Sequence, residues 1–463
     1  MSAPALPVAT LAEASRLLQR RQLSPLELTE TCLRRIEALE PALNSFITVT
    51  AEMALAEARR AQEELAAGKS RGPLHGVPVA VKDLFFTAGV RTTAGSRVLA
   101  DFVPQEDATA VARLRRAGAI VLGKLNMHEF AFGTTSVNPH YGPVRNPWDT
   151  GRVAGGSSGG SASAVAAGEC LAALGTDTGG SVRIPAALCG ITGLKPTYGR
   201  VSVHGAVPLA WSLDHVGPMC RTAEDCALVL AAIAGHDDRD RTTADVPVPD
   251  YPSLLDGGAR GLRIGVPREH FFEQVDEEVA GAVSAALEVL AELGAEIEEV
   301  SLPYGEMAPL LAASIMLPEA LAYHLPWLRE RPGDYGPDTL QRLGAAALYP
   351  AALYVQAQRQ RQVLVESWRE VWQRVDLVAT PTTPVVAPTV EEAARWALVL
   401  NRNTNAFNVS GQPAISLPCG FSSHGLPIGL QLVGRWWDEA TVLRTAHAYQ
   451  QATDWHLRPP PLL

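Results

Sequence analysis

Two serine blocks set in glycine dominate the middle of the chain, Gly155-Gly-Ser-Ser-Gly-Gly-Ser161 and Gly175-Thr-Asp-Thr-Gly-Gly-Ser-Val-Arg-Ile-Pro-Ala186. A serine hydroxyl is a weak nucleophile until a base takes its proton, and glycine density in a large enzyme brings backbone close to a ligand. Among basic side chains only lysine can serve as a neutral amine, because a guanidinium does not lose its proton in a protein. Of 39 basic residues four are lysines: Lys69, Lys82, Lys124 and Lys195. Such scarcity fits positions that need an amine, and it equally fits GC-rich codon usage with a few lysines left over.

Two other signatures fail on their surroundings. Gly118-Ala-Ile-Val-Leu-Gly123-Lys124-Leu125 has the spacing of a phosphate-binding loop, but its intervening residues are strand formers and Leu125 replaces the Ser/Thr that would hold Mg²⁺. Gly155-Gly-Ser157-Ser158-Gly159 matches the nucleophile elbow of α/β-hydrolases, which needs a buried strand directly before it, whereas Asn146-Pro-Trp-Asp-Thr-Gly-Arg stands there. A hydrolase using Ser157 or Ser158 with His204 or His215 is the runner-up. His75, His128, His204 and His215 lack zinc-ligand spacing, so no metal and no cofactor is expected.

The elements that must position these residues follow from pattern. Val77 to Val81 reads as a short buried strand ending at Lys82, a helix capped by Asp107 runs to about Gly118, and Ala119 to Leu122 is the next strand. Ser24-Pro25-Leu26-Glu27 is a capping box, and its helix is expected to stop before Pro41. Ala162 to Leu174 reads as a helical run of small residues. The strand Leu262 to Val266, helix Glu277 to Leu293 and strand Ala295 to Val300 form a βαβ unit, Asp376 opens another strand, and short strands are expected over 401–434. The fold class is therefore α/β, a large mixed, mainly parallel sheet covered by helices on both faces.

At this point the sequence resembles the amidase signature family. The resemblance runs from Gly76-Val-Pro-Val-Ala-Val-Lys-Asp83 through both serine blocks, Gly193-Leu-Lys-Pro-Thr-Tyr-Gly-Arg200 and Ser212-Leu-Asp-His-Val-Gly-Pro218, to Asn408–Pro418 and Gly425–Gln431. It implies one amidase signature domain over 1–463, a catalytic core at 60–225 and a variable helical substrate or lid region at 300–375. It also implies that Ser181 is the nucleophile, Ser157, preceded by a cis peptide, the bridging residue, and Lys82 the base. Burial disfavours an ammonium, so Lys82 could accept a proton from Ser181 through Ser157. Asp83 points the opposite way from Lys82 along the strand and need not neutralise it. Thr178, Gly179, Gly180 and Ser181 would turn their N–H groups toward one point as an oxyanion hole, where one donor is worth about 10²–10³ in rate. Asp177 and Arg183 are expected to brace that loop, and Lys124 and Lys195 to be structural.

Substrate choice is read from variable segments. The glutamine-hydrolysing subunit of the tRNA-dependent amidotransferase usually carries Gln where Ile184 stands and an Asn-Leu-x-Arg-Tyr-Asp-Gly run where Met316-Leu-Pro-Glu-Ala-Leu-Ala-Tyr-His324 stands. A free-standing amidase for apolar acyl or aryl amides, carbamates and esters is therefore expected over that subunit, with Met127, Phe130, Phe132, Trp211 and Tyr323 as pocket walls. An inactive binding scaffold is the reading of another class. The net charge of −10 and the absence of a Lys/Arg block give no footprint for nucleic acid. Leu310 to Leu328, with Pro318, Glu319 and Pro326, makes a poor membrane span. No secretory signal is read at the N-terminus, and the six cysteines lack paired spacing. A cytoplasmic monomer or homodimer with a small-molecule partner, no nucleic acid and no membrane is the expectation.

Overall fold

The computed structural model describes residues 3–462. Eleven strands form one sheet: β1 (Phe46–Val49), β2 (Pro78–Lys82), β3 (Ile120–Leu125), β4 (Ala172–Asp177), β5 (Thr192–Lys195), β6 (His215–Cys220), β7 (Arg263–Pro267), β8 (Glu296–Val300), β9 (Leu377–Pro381), β10 (Ala414–Phe421) and β11 (Pro427–Gly434). Their spatial order is β1-β3-β2-β4-β6-β5-β10-β11-β9-β7-β8, with helices covering the sheet. The class is α/β with a mixed sheet. Parallel pairing is confined to the flanks, β3-β2-β4 on one side and β9-β7-β8 on the other, and the centre is antiparallel. The parallel share is thus smaller than the βαβ pattern suggests, because β10 and β11 pair as a hairpin of eight-residue strands inserted between the flanks.

Central strands such as β2, β4 and β6 are buried at every residue, as a strand covered on both faces must be. Two of them carry polar groups inward, Lys82 at the end of β2 and Thr176 in β4, and β4 places Thr176 beside the end of β2 because Val81 pairs with Leu174. The helix α1 (Gly159–Ala166) follows the first serine block and is buried throughout. Only small residues fit it: a Cβ at Gly160 would stand 2.4 Å from the backbone oxygens of Asn126 and Ser45. This helix stops at Ala166 and the chain turns into β4, so the expected single run from Ala162 to Leu174 is two elements separated by a left-handed Gly168.

Further departures have local causes. The helix Pro25–Leu43 continues through Pro41, and a left-handed Asn44 ends it instead. Asp107 does not cap the helix Thr109–Arg116; its carboxylate accepts from the Ala88 N–H and from Arg115. The helix α2 (Glu277–Glu292) joins β7 to β8, and the 300–375 region beyond it is helical: α3 (Ala308–Glu330), α4 (Pro337–Ala346) and α5 (Ala351–Ser367). Among the described residues one helix, over Gly305–Glu330, is long and apolar enough to cross a membrane, but 44% of its apolar window is buried inside the fold. All six cysteines are buried and free.

Candidate active site

Lys82 is fully buried, with its Nζ 2.7 Å from Ser157 Oγ and 2.9 Å from Thr176 Oγ1. Burial pulls its ammonium down to about 7, against the opposing pull of Asp214 and Asp177. The neighbouring Asp83 faces the other way, 3.4 Å from Lys124, so the two lysines sit in separate polar pockets. Lys195 is bound by the backbone oxygens of Pro196 and Gln412.

Ser157 follows a cis peptide at Gly156-Ser157. A Cβ at Gly156 would lie 2.8 Å from the backbone nitrogens of Thr135 and Ser136, so only glycine lets the chain pass. The Ser158 N–H donates to the Ser181 carbonyl at 3.2 Å, which fastens the two serine blocks together. The Ser181 hydroxyl makes no hydrogen bond to protein among the described residues. Its loop is held from below by Asp177, whose carboxylate accepts from the N–H of Gly180 (2.8 Å) and Val182 (3.1 Å) and from Arg183 and Asn408. Burial alone would raise the Asp177 carboxyl, but Arg183 and these hydrogen bonds hold it well below the usual carboxylate range. The Gly180 N–H is thereby committed to Asp177, which removes it from the expected oxyanion set. The N–H groups of Thr178, Gly179 and Ser181 have no protein acceptor among the described residues.

Ser181 opens on a cavity of about 70 Å³ lined by Phe132, Gly133, Thr178, Gly179, Met316, Arg342, Asn401 and Asn405, among others. Arg342, from α4, is fixed in this wall: its Nη1 donates to the Phe132 carbonyl, its Nε to Asp338 at 3.1 Å, and its guanidinium lies over the Phe132 ring. Asp338 also meets His128 Nε2 at 3.2 Å, and the His128 N–H donates to the Ser157 carbonyl at 3.1 Å. The approach to the cavity is strained, with Phe130 and Ala131 both in the left-handed region.

The Amidase family pattern matches residues 27–443. The chain belongs to the amidase family. A glutamyl-tRNA(Gln) amidotransferase subunit from Methylococcus capsulatus is 48% identical over 97% of this chain and 98% of its own. The solved structure of a glutamyl-tRNA(Gln) amidotransferase subunit from Thermotoga maritima is 34% identical, with a TM-score of 0.86 over the whole of both chains. A chain from a vestigial protein complex that reveals the evolutionary origins of an s-triazine catabolic enzyme is 37% identical, with a TM-score of 0.92 over 96% of this chain and 98% of that one. An amidase of this family is an enzyme of C–N bond hydrolysis.

These relatives overturn two expectations. A free-standing amidase for apolar amides, carbamates or esters does not fit full-length identity of this degree to amidotransferase subunits, nor does a partner list restricted to small molecules with nucleic acid excluded. The sequence features behind those expectations report packing. Ile184 sits in an apolar cluster with Val153, Leu188 and Leu400 and does not line the cavity. Within 316–324 only Met316 lines it; Glu319 binds Ser212 and Tyr354, while Tyr323 and His324 pack in an aromatic seam with Trp327.

Of the five expected pocket walls in this amidase, Phe132 alone reaches the cavity. Met127 is buried in the core, Phe130 and Tyr323 join the aromatic seam, and Trp211 is 44% exposed at the surface. Aromatic composition alone does not distinguish core from cavity. His215 directs Nδ1 to the backbone oxygens of Leu213 and Asp177, and His204 lies 3.7 Å from Glu106, so neither histidine contacts a serine of the two blocks. Sequence reasoning missed Thr176, Arg342, Asn405 and Asp214. Asp214 lies inside a segment already singled out, and Thr176 is the penultimate residue of β4, the strand next to the one that carries Lys82, so both had a signal. Arg342 had none, standing in an arginine-rich helical stretch.

Proposed function

We propose that this chain is the glutamine-hydrolysing, ammonia-releasing subunit of a tRNA-dependent amidotransferase. The observation that carries the reading is Arg342 in the wall of a small cavity beside Ser181: a guanidinium there suits a substrate with a carboxylate at one end and a carboxamide at the other, and Asn401 and Asn405 add polar capacity for its amine. Full-length identity to amidotransferase subunits supports it. An apolar acyl amide would bring no group into this cavity for the guanidinium to bind beyond its protein partners, Asp338 and the Phe132 carbonyl.

In this reading Ser181 Oγ attacks the carboxamide carbon while its proton passes to Ser157, and the Ser157 proton passes to Lys82. Thr178, Gly179 and Ser181 N–H groups receive the oxyanion. As the tetrahedral intermediate collapses, Lys82 returns a proton through Ser157 to the leaving nitrogen, and ammonia departs from an acyl-Ser181. Water, deprotonated by the same relay, then attacks the acyl carbon and glutamate is released. Lys82 suits both directions because its amine is poised near neutral pH. With a net charge of −10 this chain offers little to a phosphate backbone, so the tRNA is held by another subunit. We place the assembly in the cytoplasm, where six unpaired buried thiols stay reduced.

The test is ammonia release from L-glutamine by the purified chain, alone and with the other subunits encoded in its genome. Glutamine turnover that disappears in Ser181→Ala supports the reading. Hydrolysis of anilides or carbamates with no ammonia from glutamine in either preparation would overturn it.

A further inference from the structure

Asp214 is 8% exposed and stands where three parts of the site meet. Its Oδ1 accepts from the Thr178 hydroxyl at 2.6 Å, and its Oδ2 accepts from the N–H groups of Leu209 (2.9 Å) and Ala210 (3.1 Å). Thr178 opens the loop that carries Ser181, and Leu209 lines the cavity. One carboxylate therefore joins the opposite cavity wall to the serine loop. The groups on the other side of that loop are already fixed: Asp177 takes the Gly180 N–H, and Thr404 Oγ1 donates to the Gly179 carbonyl at 2.6 Å. Thr178 is the end of the loop that these contacts do not reach, and Asp214 supplies what is missing there.

The negative charges of Asp214 and Asp177 both act on the Lys82 amine, opposing the effect of its burial. The other titratable or charged groups around Asp214 and the loop are Glu319 on α3, Tyr198, Arg361 on α5 and His215 on β6. Of these, Glu319 is occupied by Ser212 and Tyr354, Arg361 by the Val409 and Ser212 carbonyls, and His215 by backbone oxygens. Burial raises the Asp214 carboxyl to about 6, so above that pH two anions, Asp214 and Asp177, set the charge environment of the amine, and only Asp177 is neutralised by a direct ion pair, with Arg183.

We propose that Asp214 is a positioning residue for the acyl-transfer step, locking Thr178 so that the serine loop presents its N–H groups to the oxyanion, and holding an unpaired negative charge toward Lys82. This rests on Ser181 being the nucleophile, as proposed above. Loss of the lock misplaces the loop by a fraction of an ångström to an ångström, which costs about 10²-fold where geometry controls rate.

The experiment follows labelling of Ser181 by a fluorophosphonate, which needs no knowledge of the natural substrate, as a rate constant from pH 5.5 to 10 in the full chain. Asp214→Asn and Thr178→Val are each expected to slow labelling about 10- to 100-fold, Thr178→Ser to recover most of the Thr178→Val loss, and the double variant to be no slower than Asp214→Asn. Asp214→Asn also removes an anion facing the amine, so its acid limb moves to lower pH, which a purely structural defect would not do. Wild-type rates in Thr178→Val, additive losses in the double variant, or an unmoved acid limb in Asp214→Asn would overturn the proposal. Should Asp214→Asn fail to fold, the Thr178→Val and Thr178→Ser pair decides alone. A wild-type chain not labelled at Ser181 overturns the nucleophile reading and this one together, a result distinct from equal rates across the variants.

Discussion

Arg183 grips Asp177 through two nitrogens, Nε to Oδ2 at 3.0 Å and Nη2 to Oδ1 at 2.9 Å, with neither side chain reaching solvent. The remaining guanidinium hydrogens go to Thr404, Gln431 and Asn408, so both charges are fully partnered and the pair ties the serine loop to β11 and to the helix Asn405–Val409. Removing Arg183 leaves a buried carboxylate without its counter-charge, which costs about 3–5 kcal/mol. Arg183→Ala should therefore lose stability of that order in urea unfolding at pH 7. Because the Asp177 carboxyl is depressed in the fold, its contribution is present above the usual carboxylate range and is lost only as pH falls well below it. In Arg183→Ala that protection should be gone, with acid unfolding beginning at higher pH than in the wild type.

A base at about 7 gives the second prediction. Turnover requires the neutral amine of Lys82, so the rate should rise with pH through about 7 and level above it. Lys82→Arg should be inactive at every pH, since its side chain stays charged. Lys82→Met should also be inactive yet fold. Burial lowers the folded value of the amine, so the wild type carries its charge penalty in full below about 7 and sheds it as pH rises toward the unfolded value. The stability advantage of Lys82→Met, read as thermal midpoint, should accordingly be largest at pH 6 and shrink toward pH 10.

Arg342 offers a separation of binding from chemistry. It touches no serine and lines only the cavity wall, so Arg342→Ala should raise KM for glutamine at least about 10-fold while kcat changes little, the signature of lost uniform binding. Arg342→Lys should recover part of it, because a point charge cannot reproduce the fork. Equal KM in wild type and Arg342→Ala would remove the carboxylate anchor from the substrate reading.

What the sequence made legible was what local rules control. The strand ending at Lys82 was readable because Pro-Val-Ala-Val-Lys is a buried run with one charge at its end, and the βαβ unit of β7, the helix Glu277–Glu292 and β8 because its periodicity changes cleanly between elements. The glycine requirements at 156 and 160 were visible as composition, although what would collide there was not. The residues proposed to read the substrate were illegible because they come from far along the chain. Arg342 reaches the cavity only through the placement of α4, which Glu129 helps fix by accepting the Gly336 N–H at 2.9 Å. Ile184, read as a specificity marker, occupies a core position whose choice is governed by volume.

The pair Glu40 and Glu169 supplies the last prediction. Glu169 is fully buried with neither oxygen hydrogen-bonded among the described residues, and Glu40 leaves one oxygen without a partner. Burial raises both carboxyls, Glu40 to about 7 and Glu169 well above its ordinary value, and the Glu40 charge further opposes ionisation of Glu169. For an acid raised in the fold, the unfolded chain releases its proton first, so stability falls as pH climbs above the ordinary carboxylate value. Glu169→Gln cannot ionise and removes that slope. Urea unfolding should therefore show the variant gaining on the wild type between pH 5 and pH 8, by about 1–3 kcal/mol at the upper end. Parallel stability curves over that range would mean that Glu169 is already compensated, by a bound cation or by a hydrogen-bonding water.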